Sequence, residues 1–170
     1  MLLSDGFIAN GSEPWKIPDF SKYPAINTPI INKCEGKFKP YERDLERFAR
    51  SWAVPGTAGL EHRVGGLEKA EHGAISSDPL NHEKMVAARA EKVARVANYI
   101  PDLEVVGEQE GEILIVGWGG TYGHLYTAAK ELLAEGKSVG FAHFDYINPL
   151  PKNTKDVFKR FKKIIVCELN

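Results

Sequence analysis

Ile113-Leu114-Ile115-Val116, running into Gly117-Trp118-Gly119-Gly120-Thr121, is an apolar stretch that breaks abruptly into glycines. Four consecutive apolar residues predict a strand covered on both faces, as in a parallel sheet, because a strand with one wet face would alternate. The glycines predict a tight turn into a helix. After them, Tyr122, Leu125, Ala129, Leu132 and Leu133 share one helical face, and Gly136 stands where that helix should stop. The stretch 138–144 reads as a second strand, 153–162 as a second helix with Val157, Phe158 and Phe161 inward, and Ile164-Ile165-Val166-Cys167 as a third strand. The order β-α-β-α-β, with crossover helices between short strands, predicts a small α/β domain built on a parallel sheet with right-handed connections.

Upstream the pattern weakens. Asp78-Pro79 can cap and open a helix, since the carboxylate accepts orphan amides and proline is tolerated in the first turn. Val86, Ala90, Val93, Ala97 and Ile100 then fall on one stripe, and Pro101 ends it. Residues 56–77 hold five glycines and little periodicity, so they read as a loop. Further back, Pro18, Pro24, Pro29, Pro40 and Pro55 recur too often for a long helix, because each removes an amide donor and restricts its predecessor. That irregular, proline-rich segment is expected to hold a short strand at Pro29-Ile30-Ile31-Asn32. A short helix is expected over 42–52, with Leu45, Phe48, Ala49 and Trp52 on one face.

At 170 residues, with 43% apolar and 26% charged side chains, the chain has the balance of a globular protein and not of a disordered one. Its net charge of −1 offers no general case for nucleic-acid binding, although the charge is uneven and the stretch 61–110 carries ten acidic against six basic groups. Cys34 and Cys167 are far apart, with no CxxC, so neither a disulfide framework nor a cluster-ligating set is present. No apolar run approaches the roughly 20 residues needed to span a bilayer. The expectation is a cytoplasmic protein with neither nucleic acid nor membrane among its partners.

Chemistry-bearing residues are few. The turn Gly119-Gly120-Thr121 precedes a helix, where amides and the helix dipole favour anions. It fails the GxGxxG pattern, because position 122 is Tyr122, and it lacks the Gly-Lys-Ser/Thr of a phosphate-cradling loop. A packing turn is the leading reading, and a weak anion site at Gly119, Gly120 and Thr121 the second. His62, His72 and His82 are ten residues apart, which is not the one-turn spacing of helical metal ligands, so hydrogen-bonding roles are expected and no metal site is assigned. Lys152, Lys155, Lys159, Arg160, Lys162 and Lys163 form a basic run that reads as the solvated side of a helix. No Gly-x-Ser-x-Gly elbow is present, and no catalytic residue is assigned.

Several strings, in order, resemble one family. They are Leu3-Ser4-Asp5-Gly6-Phe7-Ile8-Ala9-Asn10-Gly11-Ser12-Glu13-Pro14-Trp15, Gly59-Leu60-Glu61-His62, and Asp78-Pro79-Leu80-Asn81-His82-Glu83-Lys84-Met85. They continue with Gly117-Trp118-Gly119-Gly120-Thr121-Tyr122-Gly123, Tyr146-Ile147-Asn148-Pro149-Leu150-Pro151 and the closing Glu168-Leu169-Asn170. Together they resemble the C-terminal portion of the alpha subunit of 2-oxoacid:ferredoxin oxidoreductases, most closely the 2-oxoglutarate type. The resemblance implies that residues 1–20 end a pyrimidine-binding domain, that 21–79 connect, and that 80–170 form an α/β domain like the C-terminal domain of transketolases. It further implies an enzyme that decarboxylates a 2-oxoacid on thiamine diphosphate and magnesium, passes electrons through an iron–sulfur cluster to ferredoxin, and hands the acyl group to coenzyme A. In such an enzyme a beta subunit is the partner, and the 170 residues are expected to be an excised, structural piece that binds none of these cofactors alone and self-associates. The alternative is a free-standing α/β interaction or anion-binding module.

Overall fold

A computed structural model describes residues 10–12 and 17–169. The motif at 3–15 and the final Asn170 therefore lie wholly or largely outside the described residues. The chain divides into two compact units, one of them Ile17–Arg95 and the other built on 96–169.

In the unit Ile17–Arg95, β1 (Ile30–Ile31) pairs in parallel with β2 (Trp52–Ala53), Ile30 opposite Trp52. The strand expected at 29–32 is thus present. The helix expected over 42–52 is not, and Asp44 is the reason. Its carboxylate accepts the amides of Glu46 and Ala49 at 2.9 and 2.7 Å, as well as that of Arg47, folding the chain into a side-chain-closed turn. Phe48 sits at φ 53°, a conformation no helix contains. Asp44 competes with the helix for its own amides, as short polar side chains do. The bond from the Arg47 amide foremost, then those from Ala49 and Glu46 and the Arg47 charge, hold its carboxyl below its ordinary value against the opposing cost of desolvation.

The loop expected at 56–77 contains a single antiparallel bridge, Lys69 with Ile75. Then α1 (Pro79–Ala94) opens under the Asp78 cap, whose Oδ1 accepts from the Leu80 amide at 3.0 Å. The helix is bound to the residues before it. Glu68 meets both His82 and Arg89, Asn81 donates to the Lys69 carbonyl, and Arg95 donates to the carbonyls of Leu45 and Glu46 while covering the Phe48 ring at 4.0 Å. These bonds tie the helix to the residues before it, within the unit that ends at Arg95. The apolar stripe does not serve as a buried face: α1 buries no residue, and Val86 and Val93 are exposed.

The second unit carries the sheet. Its strands are β3 (Val106–Gly107), β4 (Gly111–Trp118), β5 (Val139–Phe144) and β6 (Phe161–Val166), in the order β3-β5-β4-β6. β4 pairs in parallel with β5 and β6, and β3 is an antiparallel edge that the sequence reading did not foresee. The connections are α2 (Tyr122–Ala134) and α3 (Thr154–Phe158), on opposite faces. Ile115 and Phe141 pack with Ala129 of α2, whereas Leu114, Val116, Ala142 and Phe144 pack with Val157 of α3. Alternate residues of β4 thus feed two cores, which is why its sequence is continuously apolar.

The second helix is five residues long, not the ten expected. Phe161, predicted as its inward face, instead opens β6 opposite Gly111 and remains buried. Apolar spacing cannot separate these cases, because a one-turn helix followed by a strand also turns Val157 and Phe161 to the core. Asn153 fixes the entry to that helix. Its Oδ1 accepts from the Leu103 amide at 2.8 Å, and its Nδ2 donates to the Leu103 carbonyl at 2.9 Å.

Candidate functional site

The carboxyl ends of β4 and β5 bring the most chemistry together. In open α/β sheets this edge receives the loops that leave the strands, and ligands bind outside it. Gly119–Thr121 form one 3-10 turn there, continuous with α2. Gly119 has φ +60° and so uses the freedom glycine gives. A Cβ placed on Gly120 would meet nothing within 4 Å. Thr121 is buried and its hydroxyl donates to the Trp118 carbonyl at 2.8 Å, closing the turn on itself.

His143, at the end of β5, lies against this turn, with Nε2 3.2 Å from the Gly119 carbonyl and Nδ1 3.6 Å from Oδ1 of Asp145. A carbonyl only accepts, so the Nε2 contact requires the proton on that nitrogen and leaves Nδ1 facing the carboxylate. Tyr122 meets the imidazole edge-on at 5.1 Å and stacks on Tyr126 at 5.5 Å. Phe141 backs the group. A groove of about 320 Å³ opens here, lined by Tyr122, His143 and Tyr146 with three carboxylates, Asp102, Glu104 and Asp145. It is aromatic and acidic. Its carboxylates disfavour an anion on their own side of the turn.

The other candidate residues scatter. His62 Nδ1 lies 2.9 Å from the Leu60 carbonyl, with its ring edge-on to Phe38, while His82 pairs with Glu68 at 3.0 Å. His72 and His124 are exposed. Beside His72, Glu71 pairs with Lys39 at 2.8 Å, and that hydrogen bond, with the Coulomb attraction, lowers the Glu71 carboxyl and raises the Lys39 ammonium from their ordinary values. Among the described residues no three His, Cys, Asp or Glu side chains converge as metal ligands. In the basic run, Lys159 lies 3.8 Å from Asp156 and Lys162 pairs with Glu112 of β4, and all six residues are exposed. The sequence reading missed the pairing of His143 with the turn. The available signal was the position of His143-Phe144-Asp145 at the end of a predicted strand, where side chains reach the ligand edge.

No family model matches the chain. Over its whole length it is 46% identical to the 2-oxoglutarate oxidoreductase subunit KorA of Mycobacterium tuberculosis, covering 26% of that protein. The chain matches a C-terminal portion of a 2-oxoacid:ferredoxin oxidoreductase alpha subunit, of the 2-oxoglutarate type. It is 29% identical to subunit alpha of 2-oxoacid:ferredoxin oxidoreductase 1 of Aeropyrum pernix, over 99% of this chain and 27% of that one. Among solved structures it is similar to 2-oxoglutarate:ferredoxin oxidoreductase from Magnetococcus marinus, which has 2-oxoglutarate, coenzyme A and succinyl-CoA bound. The TM-score is 0.77 at 34% identity, over 90% of this chain and 27% of that one. The chain thus spans about a quarter of the length of these relatives. The small α/β unit expected from the sequence agrees with that likeness. No helix among the described residues is long and apolar enough to cross a membrane.

Proposed function

We propose that these residues form part of the alpha subunit of a cytoplasmic 2-oxoglutarate:ferredoxin oxidoreductase, where they act in structure and assembly and not in bond-making. The observation that carries this reading is identity of 46% along the entire chain to a 2-oxoglutarate oxidoreductase subunit. In the proposed whole enzyme, thiamine diphosphate with magnesium supplies the decarboxylation chemistry, an iron–sulfur cluster relays electrons to ferredoxin, and coenzyme A takes the acyl group. The cluster does not fit this chain. Cys34 is exposed in one unit and Cys167 half-buried in the other, and two thiols cannot fill a four-thiolate set. A partner, in this reading the beta subunit, would hold it.

In the same reading 1–20 belong to the end of a pyrimidine-binding domain, 21–79 connect, and 80–170 form a domain like the C-terminal domain of transketolases. Phe20, Tyr23 and Trp52 are exposed, Trp52 by 64%, which supports a covered surface in the assembly and self-association of the isolated piece.

Assay of the isolated chain with 2-oxoglutarate, thiamine diphosphate, magnesium, coenzyme A and a viologen dye is expected to give no reduction. The full-length subunit expressed with its beta subunit is expected to give coenzyme-dependent reduction. Reduction by the pure 170-residue chain would refute the structural role, and an inactive, fully folded complex would refute the family activity. A free-standing anion-binding module, the alternative, would leave both preparations inactive.

Gly119, Gly120 and Thr121 are proposed as an anion subsite, supported by the open space at Gly120 and the start of α2. Sulfate is expected to shift the Thr121 amide resonance at both ends of the range from about pH 5.5 to 8, since the amides themselves do not titrate there. Binding that appears only at the acid end, with His62 or His72 perturbed, would remove the turn from consideration.

A further inference from the structure

The unit Ile17–Arg95 contains cations that form no ion pair within it. Arg43 and Arg50 are both half-buried, and among the described residues neither meets a carboxylate. Three other cations of the unit do: Lys39 pairs with Glu71, Arg89 with Glu68, and Arg95 with Glu91. Arg43 has one long bond, from Nη1 to the Phe48 carbonyl at 3.5 Å. Arg50 lies over the Tyr41 ring at 4.7 Å, and the Lys69 ammonium, 2% exposed and bonded to the Gly65 and Leu67 carbonyls, lies 5.8 Å from the same ring. Neighbouring Asp44 keeps its charge but turns its oxygens to three amides, and among the described residues it forms no ion pair with Arg43 or Arg50. The crowding has an electrostatic signature: burial first, then the charges of Arg50 and Arg89, lower the proton affinity of Arg43.

A guanidinium is almost never fully buried without a partner, and its fork of N–H donors matches a phosphate in two places at once. Arg43, Arg50 and Ser51 line a groove of about 590 Å³, a size that suits a small molecule and not a flat protein contact. The lining carries four cations, Lys37, Lys39, Arg43 and Arg50, against three carboxylates, Glu35, Glu42 and Asp44, with Glu42 3.8 Å from Lys39.

We propose that Arg43 and Arg50, with the Ser51 hydroxyl, form a binding site for the phosphate group of a small molecule. Arg50, stacked on Tyr41, is the fixed arm. Arg43, with its single long bond, is the arm that gains most from an anion. This site is separate from the turn at 119–121 and does not rest on the family reading.

Titrating the 170-residue chain with inorganic phosphate at constant ionic strength is expected to give saturable shifts of Tyr41 and Arg50 resonances. Arg43→Gln and Arg50→Gln should each weaken binding by about tenfold, the loss of one charge-assisted bond. Arg47→Gln, on the same turn but exposed, should leave it unchanged. In the unaltered chain, phosphate should protect Arg43 and Arg50 from butanedione, read by peptide mass spectrometry, so the result does not depend on a variant folding. Failure of protection, shifts confined to Thr121, or binding indifferent to both substitutions would overturn the proposal. Succinate is the control of matched charge, and binding as tight as that of phosphate would overturn the assignment to phosphate.

Discussion

Phe141→Ala is expected to lower the stability of the sheet-bearing unit by about 3–5 kcal/mol, the range for truncating a fully buried aromatic. Phe141 is 1% exposed and lies in β5, next to the central strand, with Ile115 and Ala129 packed against it. Its ring also stands 5.9 Å from Tyr122, 6.3 Å from Tyr126 and 6.3 Å from His143. Truncation would therefore leave a cavity under α2 and remove the backing of the groove. With about 4–8 °C of midpoint lost per kcal/mol in a domain of this size, thermal or urea unfolding resolves the change easily. Phe141→Leu, which leaves a smaller cavity, should cost clearly less than the alanine variant. A loss for the alanine variant below about 1 kcal/mol would mean that β5 is not part of the core described.

The success of the sequence reading around 113–144 has the same origin as this fragility. Burial on both faces makes β4 continuously apolar, and a full-length amphipathic helix beside it has a period that can be counted. Where those conditions fail, so does legibility. At 42–52, Leu45, Phe48, Ala49 and Trp52 match a helical face, but Asp44 closes a turn through its own carboxylate and Trp52 enters a two-residue strand. Leu45 and Trp52, the supposed inward positions, are exposed. The stripe of α1 misleads in another way, since its periodicity is real but nothing in the unit covers it. The two-residue β3 has too little pattern to detect, and the pairing of Asn153 with Leu103 crosses fifty residues. The site was partly readable. Glycines 119 and 120 announced the turn, whereas His143 and the pair Arg43 and Arg50 acquire meaning only from neighbours distant in sequence.

Gly117→Val is expected to disrupt that turn more than any other change to its glycines. A Cβ at Gly117 would fall 2.3 Å from Cδ1 of Leu125, 2.7 Å from Oγ1 of Thr121 and 3.3 Å from the Cys167 carbonyl oxygen. The Leu125 contact lies in the first turns of α2, and the Thr121 hydroxyl is already committed to Trp118. Relief would therefore require Leu125 to change rotamer and the Thr121 hydroxyl to leave the Trp118 carbonyl, with the Cys167 backbone oxygen close behind. The cost is expected at or above about 3 kcal/mol, the upper end of ordinary overpacking, and even Gly117→Ala should lose about 1–3 kcal/mol. Gly119→Ala tests a different cause, because its Cβ meets nothing, yet φ +60° costs about 1–2 kcal/mol for a residue with a side chain. Gly120→Ala has neither penalty and should stay within about 0.5 kcal/mol of the parent, as surface changes do. Urea denaturation of the four variants checks the order. If Gly120→Ala proved as damaging as Gly117→Val, the close approach of α2 to β4 could not be what these glycines are for. If it proved neutral while weakening sulfate binding at Thr121, the open side of Gly120 would be reserved for a ligand and not for packing.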